Sequence, residues 1–309
     1  METVLIAGGT GLVGQALTNQ LLSQGVHVIL LTRSISSAKK KFSEHPHLDY
    51  SVWDPAKKNI DQTIFSRVQH IINLAGAGVA DKRWSDARKK EISDSRVQAG
   101  GLIAQQLLNH SHTVKTYIGA SAIGWYGPDP TTHRKGFVET DAAYSDFLGA
   151  TCEKWEASAA SLRQTGIRCV TLRIGIVLSP KGGALREFLK PLNVGIATIV
   201  GTGKQVVSWI HLQDLVSLFM FAIHQPTVKG IYNAVAPQPV SNLELIRTLA
   251  WARGRFFFLI RVPAFVLKVV MGEMSIEVLK STTVSAEKIS QEKFQFNYPS
   301  IREALASFF

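Results

Sequence analysis

Over the first 120 residues, short β-branched runs alternate with longer stretches of helical period. Residues 4–7 lead into a helical pattern over 12–24, residues 26–32 into a weaker one, and residues 70–74 into a long one ending near Asn109, with a further run at 116–120. Alternation of this kind predicts βαβ units around a parallel sheet. A polar loop carrying Pro and Gly spans 126–144, a helical pattern covers 147–164, and 168–172 reads as another strand. The segment Ser179-Pro180-Lys181-Gly182-Gly183 breaks the rhythm and Gly230-Ile231-Tyr232-Asn233-Ala234 resumes it. From Ser241 the pattern is mainly helical, punctuated by aromatics and prolines, so a second, smaller unit is expected to begin there. The chain has no internal repeat of solenoid length.

The first strand runs into Gly8-Gly9-Thr10-Gly11-Leu12-Val13-Gly14, which fits GxGxxG from Gly9 and GxxGxxG from Gly8. Alone, such a string is weak. Between an apolar strand and a helix it predicts a dinucleotide loop: the glycines allow a tight turn, close approach of backbone N–H groups to a pyrophosphate, and packing of helix on sheet. The helix N-terminus adds partial positive charge. A ligand-free strand–helix turn is the competing reading.

The end of the second strand selects the dinucleotide. An NAD site places Asp or Glu roughly 20 residues on, to accept from the ribose 2′-hydroxyl. Here the strand ends Leu30-Leu31-Thr32-Arg33-Ser34, and no acidic residue stands between Gln15 and Phe42. A guanidinium at Arg33 can pair with a 2′-phosphate and Ser34 can add a donor, so NADP(H) is expected. Trp53-Asp54 is expected to border the adenine, and the small residues of Asn73-Leu74-Ala75-Gly76 to let the backbone approach the cofactor.

Composition narrows the partners. The 309 residues are 46% apolar and 18% charged, which suits a compact globular protein and excludes a disordered or collagen-like chain. The net charge of +11 invites a nucleic-acid or acidic-membrane reading, but it is spread as +4, +3 and +4 over the thirds of the chain. Clusters such as Lys39-Lys40-Lys41 are short and read as solvated faces. No nucleic-acid partner is therefore expected. Two cysteines point to a reducing compartment. The longest apolar candidate, 256–271, is broken by Arg261, Pro263 and Lys268, so no membrane partner is expected and a cytoplasmic location is.

Read together, "GGTGLVG", "TRS", "INLAGAGVADKRW", "GASAIGWYG", "LRIGIVLSPKGGAL", "SWIHLQDLV" and "RVPAFVLKVVMGEM" make the chain similar to the extended short-chain dehydrogenase/reductases. Within the NAD-dependent epimerase/dehydratase superfamily it resembles the atypical YfcH-type epimerase-like proteins. The resemblance implies a Rossmann-like, doubly wound α/β sheet over 1–178 and 206–236. It also implies a small substrate-capping domain over 179–205 and 237–309. Cofactor contacts implied beyond Gly8, Thr10, Gly11, Leu12, Val13, Gly14, Arg33 and Ser34 are Leu74, Ala75, Gly76, Glu91, Arg96 and Val177. The implied substrate is a nucleotide sugar or another hydroxylated small molecule, and a homodimer fits the same reading.

Members of that group use Ser/Thr with a YxxxK pair, whose i, i+4 spacing lets an ammonium lower the phenol's pKa. None of the six tyrosines here has Lys four residues on. In the helix expected to carry the pair, Cys152 and Glu156 take the Tyr and Lys registers. A carboxylate beside the thiol would raise its pKa. Cys152 is a candidate acid/base, or a small buried residue with Glu156 a surface charge or cap. Ser121 takes the position of the family's serine, and Tyr126 is a possible displaced acid or a packing aromatic. His211 is expected to be structural, with Asp214 capping the next helix. No cluster has metal-ligand spacing, and no GxSxG nucleophile elbow is present. Two functions follow: an oxidoreductase or epimerase, or a non-catalytic NADP(H) sensor lacking the Tyr/Lys pair.

Overall fold

A computed structural model describes residues 2–130, 136–254 and 256–309. Residues 131–135 of the loop expected at 126–144 lie outside the described residues. In chain order the first half comprises β1 (Thr3–Ala7), α1 (Leu12–Ser23), β2 (His27–Thr32), α2 (Ile35–Lys39), β3 (Leu48–Asp54), β4 (Asn59–Ile60), β5 (His70–Asn73), α3 (Asp86–Asn109), β6 (Thr116–Ala122) and α4 (Phe147–Ala157). There follow β7 (Arg168–Ile174), β8 (Ile176–Leu178), α5 (Gly183–Leu192), β9 (Ile196–Val200), β10 (Val206–Val207), β11 (Trp209–His211), α6 (Leu212–His224) and β12 (Gly230–Ala234). The C-terminal part holds β13 (Val240–Ser241), α7 (Asn242–Ala252), β14 (Phe258–Val262), α8 (Ala264–Met271), α9 (Ser275–Leu279), α10 (Glu287–Gln291) and α11 (Ile301–Ala306).

The main sheet has the order β12-β7-β6-β5-β1-β2-β3-β4, parallel except for the β3–β4 edge pair. Both faces are covered, which is why β1 is buried along its whole length and reads as a continuous apolar run. Its alternate residues enter different cores. Val4 and Ile6 pack in one cluster with Leu17 and Leu21 of α1 and Phe219 of α6. Leu5 and Ala7 pack in the other with Ala99 and Ile103 of α3. The period of two in the strand thus becomes two layers of helix, in a Rossmann-like α/β sheet.

A third apolar cluster joins Leu178, Leu185, Ile199 and Trp209 to Leu245, Leu249, Ile301 and Leu305. The segment after Ser241 is less helical than its pattern suggested, because β14 pairs in parallel with β9. The apolar run 256–260 suits helix or strand equally, and a partner 62 residues away decides. The helical pattern of 147–164 also breaks. After α4 the Ser158 hydroxyl donates to Trp155 O at 2.7 Å, and a 3-10 turn covers Ala160–Gln164.

Strand order reverses at β1, with β2 on one side and β5 on the other. In open α/β sheets the crevice at such a reversal, beyond the carboxyl ends of the strands, is where ligands sit. Ala7-Gly8 and Asn73-Leu74 border it.

Candidate functional site

The loop between β1 and α1 is closed to side chains at three positions. Gly8 has φ +80°, and a Cβ there would lie 2.7 Å from the Leu74 carbonyl. A Cβ on Gly9 would meet Leu30 Cδ2 at 2.5 Å, and one on Gly14 would meet Gly8 O at 2.4 Å. Gly11 is the N-cap of α1 without a side-chain cap bond, and the first turn of α1 has no acidic residue. The N–H groups of Leu12, Val13 and Gly14 therefore form the open, partly positive end of the helix. Thr10 O accepts from Gln15 Nε2 at 2.8 Å and from Lys41 Nζ at 3.3 Å. Lys41 belongs to the cluster read from sequence as a solvated face. Its contact with the loop spans 31 residues and had no local signal.

These residues fit a dinucleotide. The cradle admits no Cβ at Gly8 or Gly14, the helix end is uncapped by side chains, and Arg33 at the end of β2 is exposed with no hydrogen bond or ion pair among the described residues. Ser34 is the N-cap of α2, where its Oγ accepts from Ser37 N–H at 3.3 Å. Asp54 caps the following turn through Ala56 N–H, and Trp53 is buried in the core.

Across the crevice, Leu74 N–H donates to Ala7 O at 2.9 Å and Ala75 N–H to Asn73 Oδ1 at 3.2 Å. Arg96 lies against Gly76, where a Cβ would come 3.0 Å from its Cζ, and donates Nη1 to Ala77 O at 2.9 Å. Its guanidinium also stands 4.8 Å over the Trp155 ring. Glu91 is largely exposed and accepts from Arg88 Nη1 at 2.6 Å, while Arg88 also donates to Gly78 O. Two arginines of α3 thus hold the loop after β5. The contact of Arg88 with Gly78 has no local sequence signal, because Gly78 lies 10 residues earlier, in the loop after β5. Val177, in the middle of β8, pairs with Ile210 of β11.

Beyond β6 the structure builds a buried polar network. Ser121 Oγ donates to Glu156 Oε1 at 2.7 Å. Arg173 at the end of β7 donates Nε to the same oxygen at 2.8 Å and Nη2 to Oε2 at 3.1 Å. Glu156 is therefore a buried ion-pair partner, which corrects its reading as a surface charge or cap. Arg173 is 1% exposed and lies 3.6 Å from the centroid of the Trp125 ring. Burial opposes its charge, but the Glu156 carboxylate and the Tyr126 hydroxyl more than offset that and hold the guanidinium above its ordinary pKa.

Arg173 Nη1 donates to the Tyr126 hydroxyl at 3.0 Å, which donates onward to Asn233 Oδ1 at 2.7 Å. Burial pushes the Tyr126 phenol up to about 12, and the ring stacks on Phe137. Of the two readings for Tyr126, the packing aromatic is the one this geometry fits.

Cys152 faces the same region from α4, with its thiol near Ala122 O at 3.7 Å. Its pKa is pushed up to about 11, by burial first and by the Glu156 charge second. The Glu156 charge, legible in the sequence, is the smaller cause. As the thiolate is the nucleophile, Cys152 in the folded chain should alkylate about a hundredfold more slowly at neutral pH than in denaturant. Mass spectrometry after iodoacetamide checks this, and equal rates in the two states would contradict it.

His211, not Asp214, caps α6, its Nδ1 accepting from Gln213 N–H at 3.0 Å. Asp214 instead accepts from the N–H groups of Asn297 at 2.8 Å and Tyr298 at 3.0 Å. Both residues anchor the C-terminal segment. Among the described residues no group of three or more His, Cys, Asp and Glu is placed to hold a metal ion.

The model of the NAD dependent epimerase/dehydratase family matches residues 4–234, and a domain of unknown function (DUF1731) matches 262–308. An epimerase family protein of Mycobacterium bovis is 34% identical over 303 residues, covering 98% of this chain and 96% of its own. The crystal structure of the human epimerase family protein SDR39U1 with NADPH is 28% identical, with a TM-score of 0.86 over 99% of this chain and 98% of that one. UDP-glucuronic acid 4-epimerase from Bacillus cereus, in complex with UDP-glucuronic acid and NAD, shares the fold at 17% identity and TM-score 0.80, covering 99% and 97% of the two chains.

Proposed function

The chain belongs to the NAD dependent epimerase/dehydratase family, and from that membership we propose that it binds NADP(H) and acts as an oxidoreductase or epimerase. The substrate proposed is a nucleotide-sugar-like or other hydroxylated small molecule. The observation that carries the cofactor choice is Arg33, exposed and unpaired at the end of β2, beside a stretch free of acidic residues. In this reading Gly8 to Gly14 hold the pyrophosphate and Arg33 the 2′-phosphate, with Lys41 adding charge at the loop. Leu74, Ala75 and Gly76 line the opposite wall, and residues 179–205 and 237–309 cap the substrate. The human relative solved with NADPH supports the choice; relatives solved with NAD share the fold at lower identity.

Bound NADP(H) would supply or accept hydride. The chain's own residues bind and orient it: the α1 N-terminus offers N–H donors, and Arg88 and Arg96 set the loop after β5. Replacing Arg33 by Asp is expected to cost about 2 kcal/mol in NADPH binding, roughly a thirtyfold rise in Kd, and to abolish the preference over NADH. Calorimetric titration with both cofactors checks it, and an unchanged ranking would refute the assignment.

A second reading, a non-catalytic NADP(H) sensor, is favoured by two observations: Ser121 is turned onto Glu156, and the Cys152 thiol is buried with a raised pKa. A panel of carbonyl compounds and sugar nucleotides, assayed with NADPH on the parent and on Ser121→Ala, separates the two. Turnover lost in the variant supports the enzyme; NADPH binding without turnover on any substrate supports the sensor.

A further inference from the structure

The C-terminal part exposes more apolar surface than its own core requires. Trp251, Phe256, Phe265 and Val269 are 74%, 80%, 69% and 71% exposed, and Phe258, Ile260 and Val270 are also exposed. None of α8 is buried, and among the described residues β14 pairs with β9 alone. Exposed apolar surface on this scale marks an interaction site.

Charge identifies the partner. Residues 245–272 contain no Asp or Glu but carry Arg247, Arg253, Arg255, Arg261 and Lys268. Arg247, Arg261 and Lys268 are exposed, without an ion pair among the described residues. Glu273, just past this stretch, is already paired with Lys89. A second copy docked on this face would bring like charges together, which disfavours self-association. Aromatic side chains interleaved with unpaired cations complement a surface that is apolar below and anionic above.

We propose that the surface formed by residues 256–270, with Trp251, docks on an anionic lipid bilayer. Phe256, Phe258, Phe265 and Val269 enter the headgroup boundary, and Arg261 and Lys268 rest on lipid phosphates. The sequence-based expectation of no membrane partner rested on the even spread of charge as well as on the lack of a spanning run, and this proposal departs from it. Among the described residues no helix is long and apolar enough to cross a membrane, and a peripheral contact needs none.

The test is co-sedimentation of the full chain with vesicles of phosphatidylcholine alone and of phosphatidylcholine mixed with phosphatidylglycerol. The expected result is partition at least about tenfold stronger onto the mixed vesicles, weakening as salt is raised. Arg261→Glu with Lys268→Glu should lower it by roughly fivefold for each cation removed. Phe265→Ser with Val269→Ser should lower it with every charge retained. Melting curves confirm that these surface variants stay folded. No binding to either vesicle, or equal binding to both, overturns the proposal. So does a lipid-free dimer in sedimentation velocity that Phe265→Ser with Val269→Ser dissolves while vesicles go unbound, since the face would then serve a second copy. Salt-dependent binding to RNA with none to mixed vesicles would also overturn it.

Discussion

Replacing Arg173 by methionine is expected to destabilise the fold by about 3–5 kcal/mol, because removing one partner of a buried ion pair strands the other charge. Glu156 would keep only the Ser121 hydroxyl of its present partners, and Tyr126 would lose its guanidinium donor. Methionine fills much of the volume above Trp125 but supplies no donor. For a chain of this length the loss should appear as a drop of roughly 10 °C in melting temperature. Adding Glu156→Met should restore part of it, since an apolar pair often replaces a buried ion pair at little cost. If the single variant melted like the parent, the network would be dispensable for stability.

The second large effect is at Gly14. A Cβ there would stand 2.4 Å from Gly8 O, 2.6 Å from Gly9 Cα and 2.7 Å from Gly9 C, all backbone atoms. Neither side can yield without separating α1 from the loop, so Gly14→Ala should cost about 1–3 kcal/mol in stability. It should also weaken NADPH binding by about a hundredfold or more, as the loop N–H groups lose their aim. Gly11→Ala is the internal control. Its Cβ would meet only Gly8 O, at 3.4 Å, and its φ of −77° suits any residue. Thermal melts and calorimetry on both variants check the contrast; similar losses at the two positions would remove the steric argument.

Residue spacing alone carried the local features. The apolar run of β1, the glycines after it and the period of α1 lie within 21 consecutive residues, where steric exclusion and hydrogen bonding act between near neighbours. The absence of acidic charge around Arg33 was equally legible. The assignment of strands to a parallel sheet followed from alternation, since a crossover helix between strands forces parallel pairing.

Other features came from contacts between distant segments. β14 is a strand because β9 lies beside it. Lys41 serves the glycine loop because α2 ends above it, and Asp214 binds the C-terminal segment while His211 takes the cap. In the sequence Ser121 takes the position of the family's serine, Glu156 reads as a surface charge or cap, and Arg173 carries no signal of its own. β6 and β7 are neighbours, with Ser121 opposite Arg173 in register, and α4 lays Glu156 against both. Helical period and glycine spacing act over a few residues, so they could be read along the chain. The buried charge network and the pKa values it sets depend on which strands lie adjacent, a choice made only when the sheet closes and water is excluded.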